Sequence, residues 1–213
     1  MDILKLTLST ADLKSTKEFY NNRLGLAVIN EQETSVSFSI GNSVIQFQQS
    51  TTKALYHFAF NIPQNKIAEA LQWCLANQFQ MLPFQSENLV DFPNWNAQSV
   101  YFLDNNGNIL ELIARHDLNN ATAEPFIVTQ LLGVSEIGLV VDDVLQFCSE
   151  INAKYGIPYY EKQPPAPDFS VMGDATGLFI VVPQNRKWFP TTIRSAKFPL
   201  QVSFRQNQSV YQL

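Results

Sequence analysis

Apolar and polar residues alternate with period two over residues 3–10 (ILKLTLST), the mark of a strand with one buried face. The period then changes. Asp12 offers an N-cap, and Leu13, Thr16, Phe19, Tyr20 and Leu24 form a helical stripe across residues 13–24, which Gly25 stops as a left-handed residue. Three short strands are predicted next, at 26–31, 34–40 and 43–49, the last two joined by a Gly41-Asn42 turn. The unit reads βαβββ.

The same order returns twice. Residues 55–62 (LYHFAFNI) alternate, and Ile67, Ala70, Leu71, Cys74 and Leu75 line one face of a helix predicted over 65–78. Strands are expected near 80–85, 97–103 and 108–115, the last two turning through Asp104-Asn105-Asn106-Gly107. Residues 83–96, with two prolines and three aromatics, read as a longer loop over one rim. A third copy opens at Gly133, where GVSEIGLVVDDV repeats the strand-then-aspartate layout with Asp143 in the place of Asp12. Its helix spans 144–155, Gly156 ends it, and strands near 157–162, 168–174 and 177–183 complete it around a stiff PPAP connection. Only KFPLQVSF and SVYQL remain beyond that, too little for a fourth copy.

These patterns predict an α+β fold of repeated βαβββ modules forming a cupped, mostly antiparallel mixed sheet. Residues 1–117 hold two modules (1–50 and 54–117), 118–131 form a linker, and 132–213 carry the third module and the C-terminal strands. Modules one and two, adjacent in the chain, are expected to close a cavity together.

Composition narrows the function classes. Of 213 residues, 46% are apolar and 15% charged, which fits a globule with a substantial core. A net charge of -5 with scattered basic residues argues against a nucleic-acid surface. No apolar run reaches the length of a membrane span, and the opening MDILKLTLS lacks a signal-peptide layout. Cys74 and Cys148 both fall on apolar helix faces, which predicts buried thiols and a cytoplasmic setting rather than a zinc site. Gly-rich phosphate loops, nucleophile elbows and HExxH are absent, so covalent catalysis has no evident agent.

Strand alternation selects the residues that face inward. With Leu4, Leu6 and Leu8 under the first helix, Lys5, Thr7 and Ser9 take the concave face, and Val44, Gln46 and Gln48 share one side of residues 43–49. In the second module Tyr56, Phe58 and Phe60 take the helix side, which turns His57, Ala59 and Asn61 inward. Burial of Leu110 and Leu112 likewise turns in Glu111, Ile113 and Arg115.

SVYFLDNNGNILELI and LKLTLSTADLKSTKEFYNNRLGL resemble the closing hairpin and the opening strand and helix of vicinal oxygen chelate domains, the glyoxalase, bleomycin-resistance and extradiol-dioxygenase relatives. The resemblance covers residues 3–115 and, more loosely, 133–183. It implies metal-ligand positions on the first and last strands of each module, which match Lys5, Gln46, His57 and Glu111 here. Imidazole and carboxylate suit Fe, Mn, Ni or Zn, and Gln46 can add a neutral oxygen. Lys5 departs from the pattern, because an ammonium has no lone pair and repels a divalent cation.

Three arrangements stay open. A metal binds His57, Glu111 and Gln46 while Lys5 turns toward substrate; or Lys5 takes the metal's place and salt-bridges Glu111; or His57 is simply a hydrogen-bonded interior histidine. Gln48, Lys5 and Arg115 are candidate ligand-binding residues, Glu111 is the candidate proton-transfer base, and Phe84, Phe92 and Trp95 are candidates for the pocket mouth. His116 points away. In the third module Glu136 stands where Lys5 stands in the first, but GLFIVV supplies only apolar residues for the partner strand. A second metal site is therefore not expected there, and the module is expected to stack on another part of the protein or on a second chain. The two functions compatible with this pattern are a metal-free small-molecule-binding protein and a metal-dependent glyoxalase- or dioxygenase-like enzyme acting on vicinal oxygens. The expected partner is a small-molecule ligand, and homodimerisation fits the resemblance.

Overall fold

The structure, a computed structural model, describes residues 1–213. The first module comprises β1 (Asp2–Thr10), α1 (Leu13–Lys17) running on as a π-helical turn (Glu18–Arg23), β2 (Val28–Gln32), β3 (Ser35–Ile40) and β4 (Ser43–Gln49). Asp12 caps α1 by accepting from the Ser15 amide at 2.9 Å. The wider turn buries Phe19 and Tyr20. The second module holds β5 (His57–Ile62), α2 (Ile67–Ala76), β6 (Gln80–Met81), β7 (Leu89–Phe92), β8 (Ala97–Leu103) and β9 (Ile109–Arg115). The third holds β10 (Gly133–Val141), α3 (Val144–Tyr155), β11 (Ser170–Asp174) and β12 (Gly177–Pro183), and the hairpin β13 (Leu200–Gln206) and β14 (Ser209–Gln212) follows. Asp143 caps α3 as Asp12 caps α1, and Gly156 ends it with φ at 68°.

Two expected strands come out differently. Residues 80–85 keep only β6, because Pro83 cannot donate to a ladder, and the loop beyond it contributes β7 against β8. Residues 157–162 reduce to one bridge, Tyr159 to Met172, next to Pro158.

All fourteen strands belong to one continuous open sheet. Within each module the first strand runs parallel to the last with the same offset. Lys5 pairs with Val44 and Thr7 with Gln46; His57 pairs with Ile109 and Ala59 with Glu111; Glu136 pairs with Leu178 and Gly138 with Ile180. Lys5, His57 and Glu136 are thus equivalent, as are Gln46, Glu111 and Ile180. The helices cover one face, where a single core cluster takes in Leu6, Phe58, Phe60, Leu110, Ile137 and Phe179. Burying each such side chain contributes about 1.5–3 kcal/mol.

The free edges of the first strands decide which modules meet. β5 pairs antiparallel with β10 (Phe58 with Ile137, Phe60 with Val134), and β1 pairs antiparallel with β13 (Leu6 with Val202). β1 and β10 share only one ladder pair, Ile3 with Val134. The cavity expected between modules one and two is therefore formed between modules two and three instead. Alternation identifies an open edge but carries no information about its partner. The third module does stack on another part of the same chain.

Asp104 ties the first module to the second. Its carboxylate accepts from the Tyr20 hydroxyl at 2.7 Å, from the Asn106 and Asn108 amides at 2.8 Å each, and from the Asn108 side chain at 2.7 Å. This closes the β8–β9 turn onto the π-helical turn. Asp104→Ala strands these buried donors and is expected to lower stability by about 3 kcal/mol in urea unfolding. Tyr20→Phe, which removes one donor and strands nothing on its own side, is expected to cost about 1 kcal/mol.

Candidate functional site

The concave face between the second and third modules carries a second apolar cluster that includes Val90, Tyr101, Tyr160, Val171, Ile180 and Trp188. Charged groups inside this face are few, and they lie together. His57 opens β5, Glu111 sits at the middle of β9, and Glu136 comes from β10, all three buried. The ligand atoms of these three side chains lie within 4.8 Å of one another.

A β-bulge sets the third corner. Val134 pairs with Phe60 and Glu136 with Ala59, so β10 carries one extra residue, Ser135, against β5. That irregularity turns the Glu136 side chain to the concave face. β1 has the matching irregularity between Ile3 and Lys5. Lys5 is consequently the Glu136 counterpart in the other cup.

His57 Nδ1 lies 3.2 Å from the Ile109 carbonyl oxygen, which can only accept, so Nδ1 carries the ring proton in the neutral imidazole. Nε2 then keeps its lone pair and lies 3.6 Å from Glu111. Burial pushes the His57 imidazole down to about 4, against the opposing effect of the Ile109 carbonyl. Burial likewise pushes Glu111 up to about 8, and the negative charge of Glu136 adds to it; the neighbouring Ser99 and Tyr101 hydroxyls and the Arg115 charge oppose. Glu136 is also raised by burial, with its Arg115 ion pair opposing. At neutral pH the proton of the His57–Glu111 pair therefore resides on Glu111.

Arg115, the last residue of β9, is wholly buried beside this cluster. Its guanidinium ion-pairs with Glu136, lies 3.4 Å from the Ser135 hydroxyl, and packs 5.5 Å from the centre of the Trp95 ring. The loop after α3 holds Trp95 in turn: Lys162 donates to its carbonyl at 3.2 Å, and its indole donates to Gln163 at 3.4 Å. A cavity of about 230 Å³ opens above the cluster, lined by His57, Glu111, Glu136 and Ile180 and walled by Phe92, Trp95, Tyr101, Phe169, Trp188 and Phe189, with Gln163 and Arg186 nearer solvent. Gly138 lies opposite Ile180 on the same face, and a methyl group there would collide with the Trp188 ring. Trp188 in turn packs 5.4 Å from His57.

Of the residues singled out from sequence, the structure brings together His57, Glu111 and, through Glu136, Arg115. Lys5, Gln46 and Gln48 do not line this cavity. They lie on the first cup, where Lys5 faces Ser203 across β13 and Gln46 donates to Ser35 at 3.4 Å. That cup is completed only by the β13–β14 hairpin, which supplies no counterpart of β9 or β12. The Lys5–Glu111 salt bridge, one of the three arrangements the sequence leaves open, does not form: Glu111 neighbours His57, and Arg115 pairs with a carboxylate instead. Phe92 and Trp95 line the cavity, whereas Phe84 packs on Phe189 outside it. Glu136 was missed as a member of this site. Its signal was a lone carboxylate in the apolar run GVSEIGLVV, since a charge in a buried strand requires a partner.

No family model matches the chain. Metallothiol transferase FosB of Staphylococcus haemolyticus (strain JCSC1435) is 30% identical over 114 residues, covering 50% of this chain and 78% of that protein. The metallothiol transferase FosB of Staphylococcus epidermidis matches at the same identity and coverage. Among solved structures, a Bacillus subtilis chain described as a candidate dioxygenase superposes with a TM-score of 0.63 at 15% identity, a likeness of fold, over 85% of this chain. The present chain spans 63% of that structure, under two thirds of its length.

The two titrations impose a pH dependence on the metal-free protein. Between pH 4.5 and 8 the folded chain holds a proton on Glu111 that the unfolded chain releases, so stability falls as pH rises. Between pH 4 and 6.5 the unfolded chain protonates His57 while the folded chain does not, so stability falls as pH drops. The slopes oppose each other below 6.5. Above it the carboxylate slope remains, at most about 1.4 kcal/mol per pH unit for one full proton. In chelator, the urea midpoint is expected to drop between pH 6.5 and pH 8, and Glu111→Gln to flatten that drop. A midpoint unchanged over this range in the parent protein would contradict the placement of the proton.

Proposed function

We propose that this chain, which belongs to the vicinal oxygen chelate superfamily, binds a small molecule in the cavity between its second and third modules, with His57, Glu111 and Glu136 holding a divalent cation at the cavity floor. The observation that carries the proposal is the convergence of one imidazole and two carboxylates, all buried, at the bottom of an aromatic cavity. The donor set fits a cation. Burial first, and the nearby charge of Glu136 second, hold a proton on Glu111, and a cation could take the place of that proton's charge. One nitrogen with carboxylate oxygens suits Mn or Fe well and accommodates Ni or Zn. The name of the curated relatives, metallothiol transferase, also joins a metal to this superfamily.

The chain's own residues divide the work. The Ile109 carbonyl fixes the His57 tautomer, which leaves Nε2 free to donate its lone pair. Arg115 neutralises part of the charge of Glu136 and holds that side chain in position. The aromatic walls surround the floor with apolar surface, which a bound ligand would complete. A bound ion would supply Lewis acidity to an oxygen-bearing ligand. Glu111, poised at about 8 without an ion, is the side chain suited to carry a proton near neutral pH.

A metal-free binding module is the second reading. Its support is the Arg115–Glu136 ion pair together with a neutral Glu111, which leaves the floor close to charge balance without a cation. Either way the ligand is a small molecule. A homodimer would use other surfaces, because both modules of this cavity come from one chain. Two unpaired, buried cysteines favour a cytoplasmic setting, and no helix is long and apolar enough to cross a membrane.

Metal analysis of protein prepared without chelator or affinity tag separates the readings. About one equivalent of Mn, Fe, Ni or Zn is expected, lost in Glu111→Gln and Glu136→Gln but retained in Gln46→Ala and Lys5→Ala. Protein that stays metal-free after reloading eliminates the cation and leaves the binding module.

A further inference from the structure

The cavity is lined at its open side by a single cation, Arg186, and this residue has no carboxylate partner. Every other charged group of the floor is accounted for: Glu136 is paired with Arg115, and Glu111 faces His57. Arg186 is half-buried, its guanidinium lies 4.7 Å from the centre of the Phe169 ring, and the one hydrogen bond that the guanidinium makes is to the Lys187 carbonyl at 3.2 Å. The exposed Asp168 lies near enough to act on it electrostatically but forms no ion pair with it. A guanidinium stacked by its face presents its remaining N–H groups at the edge, and two parallel N–H groups match the oxygens of a carboxylate. A partly desolvated cation also gains most from a partner that brings the opposite charge with it.

The rest of the cavity constrains the other end of that partner. Phe92, Trp95, Phe169 and Trp188 line it from different strands and loops, a surface that favours a flat ring by stacking and edge contacts. Glu136 is matched by Arg115 and Glu111 faces His57, which leaves Arg186 as the unpaired positive charge that lines the cavity and directs an anionic group to the mouth. Charge and shape therefore orient the ligand the same way.

Resting on the ligand-binding reading above, we propose that the ligand is a small aromatic carboxylate, its ring held between the aromatic walls and its carboxylate forked by Arg186 at the cavity mouth. Arg186 sets specificity for the anionic end and takes no part at the floor.

Phenylacetate and its neutral amide, phenylacetamide, test this without reference to any reaction. Their binding to the protein as purified is measured by titration calorimetry and by quenching of tryptophan fluorescence. Phenylacetate is expected to bind about tenfold more tightly than the amide, as a charge-assisted pair requires. Arg186→Gln should remove that preference while leaving amide binding in place, and Arg186→Lys should restore part of it. Because Arg186 is at the rim, circular dichroism of both variants is expected to match the parent. Equal affinities in the parent, or a preference that survives Arg186→Gln, overturns the inference and leaves the cavity as a ligand site. Failure of both probes to bind overturns the aromatic-ligand cavity itself, whereas the metal content of the Glu111→Gln variant decides the cation separately.

Discussion

Antiparallel pairing of β5 with β10 is the contact on which the site depends. Each module satisfies one edge of its first strand with its own last strand and leaves the other edge open. An open edge is a row of unpaired amides and carbonyls, and it must be covered. Covering the β5 edge with β10 makes one sheet of two modules and curves their inner faces toward a shared cavity. The extra residue at Ser135 then turns Glu136 toward His57 and Glu111. Without that pairing the second module would hold two of the three side chains and no enclosure.

Charge is the second constraint. Two carboxyl groups and one guanidinium are buried together, where the usual penalty for burying ions is several kcal/mol each. The arrangement limits this cost by pairing Arg115 with Glu136, by stacking Arg115 on Trp95, and by leaving Glu111 protonated near neutrality. Residues 162 and 163 hold Trp95 in place, so the irregular loop after α3 serves the floor indirectly. The equivalent corners of the first cup, Lys5 and Gln46, remain partly exposed and carry no comparable network. A cup completed by a hairpin alone has no opposing last strand to close over them.

Much of the architecture was legible because its determinants are local. Asp12 and Asp143 cap helices through residues three positions on, and Gly156 ends α3 through its own backbone freedom. The repeated offset between first and last strands follows from similar module lengths. Departures occurred where another local rule outweighed the apolar pattern: Pro83 and Pro158 prevent ladders that hydrophobicity alone would allow.

From the sequence alone came the three modules, the inward facing of His57, Glu111 and Arg115, and the equivalence of Glu136 with Lys5. Each depends on spacing of two or of about four residues along one strand or helix. The partner of each free edge belonged to the tertiary structure, and with it the replacement of Lys5 and Gln46 by Glu136 at the site. Edge pairing joins segments some 75 residues apart, as between Ala59 and Glu136, and a strand's alternation is identical whichever edge it meets. Only the assembled sheet, with its linker, its bulge and its buried charges balanced together, distinguishes one pairing from the other.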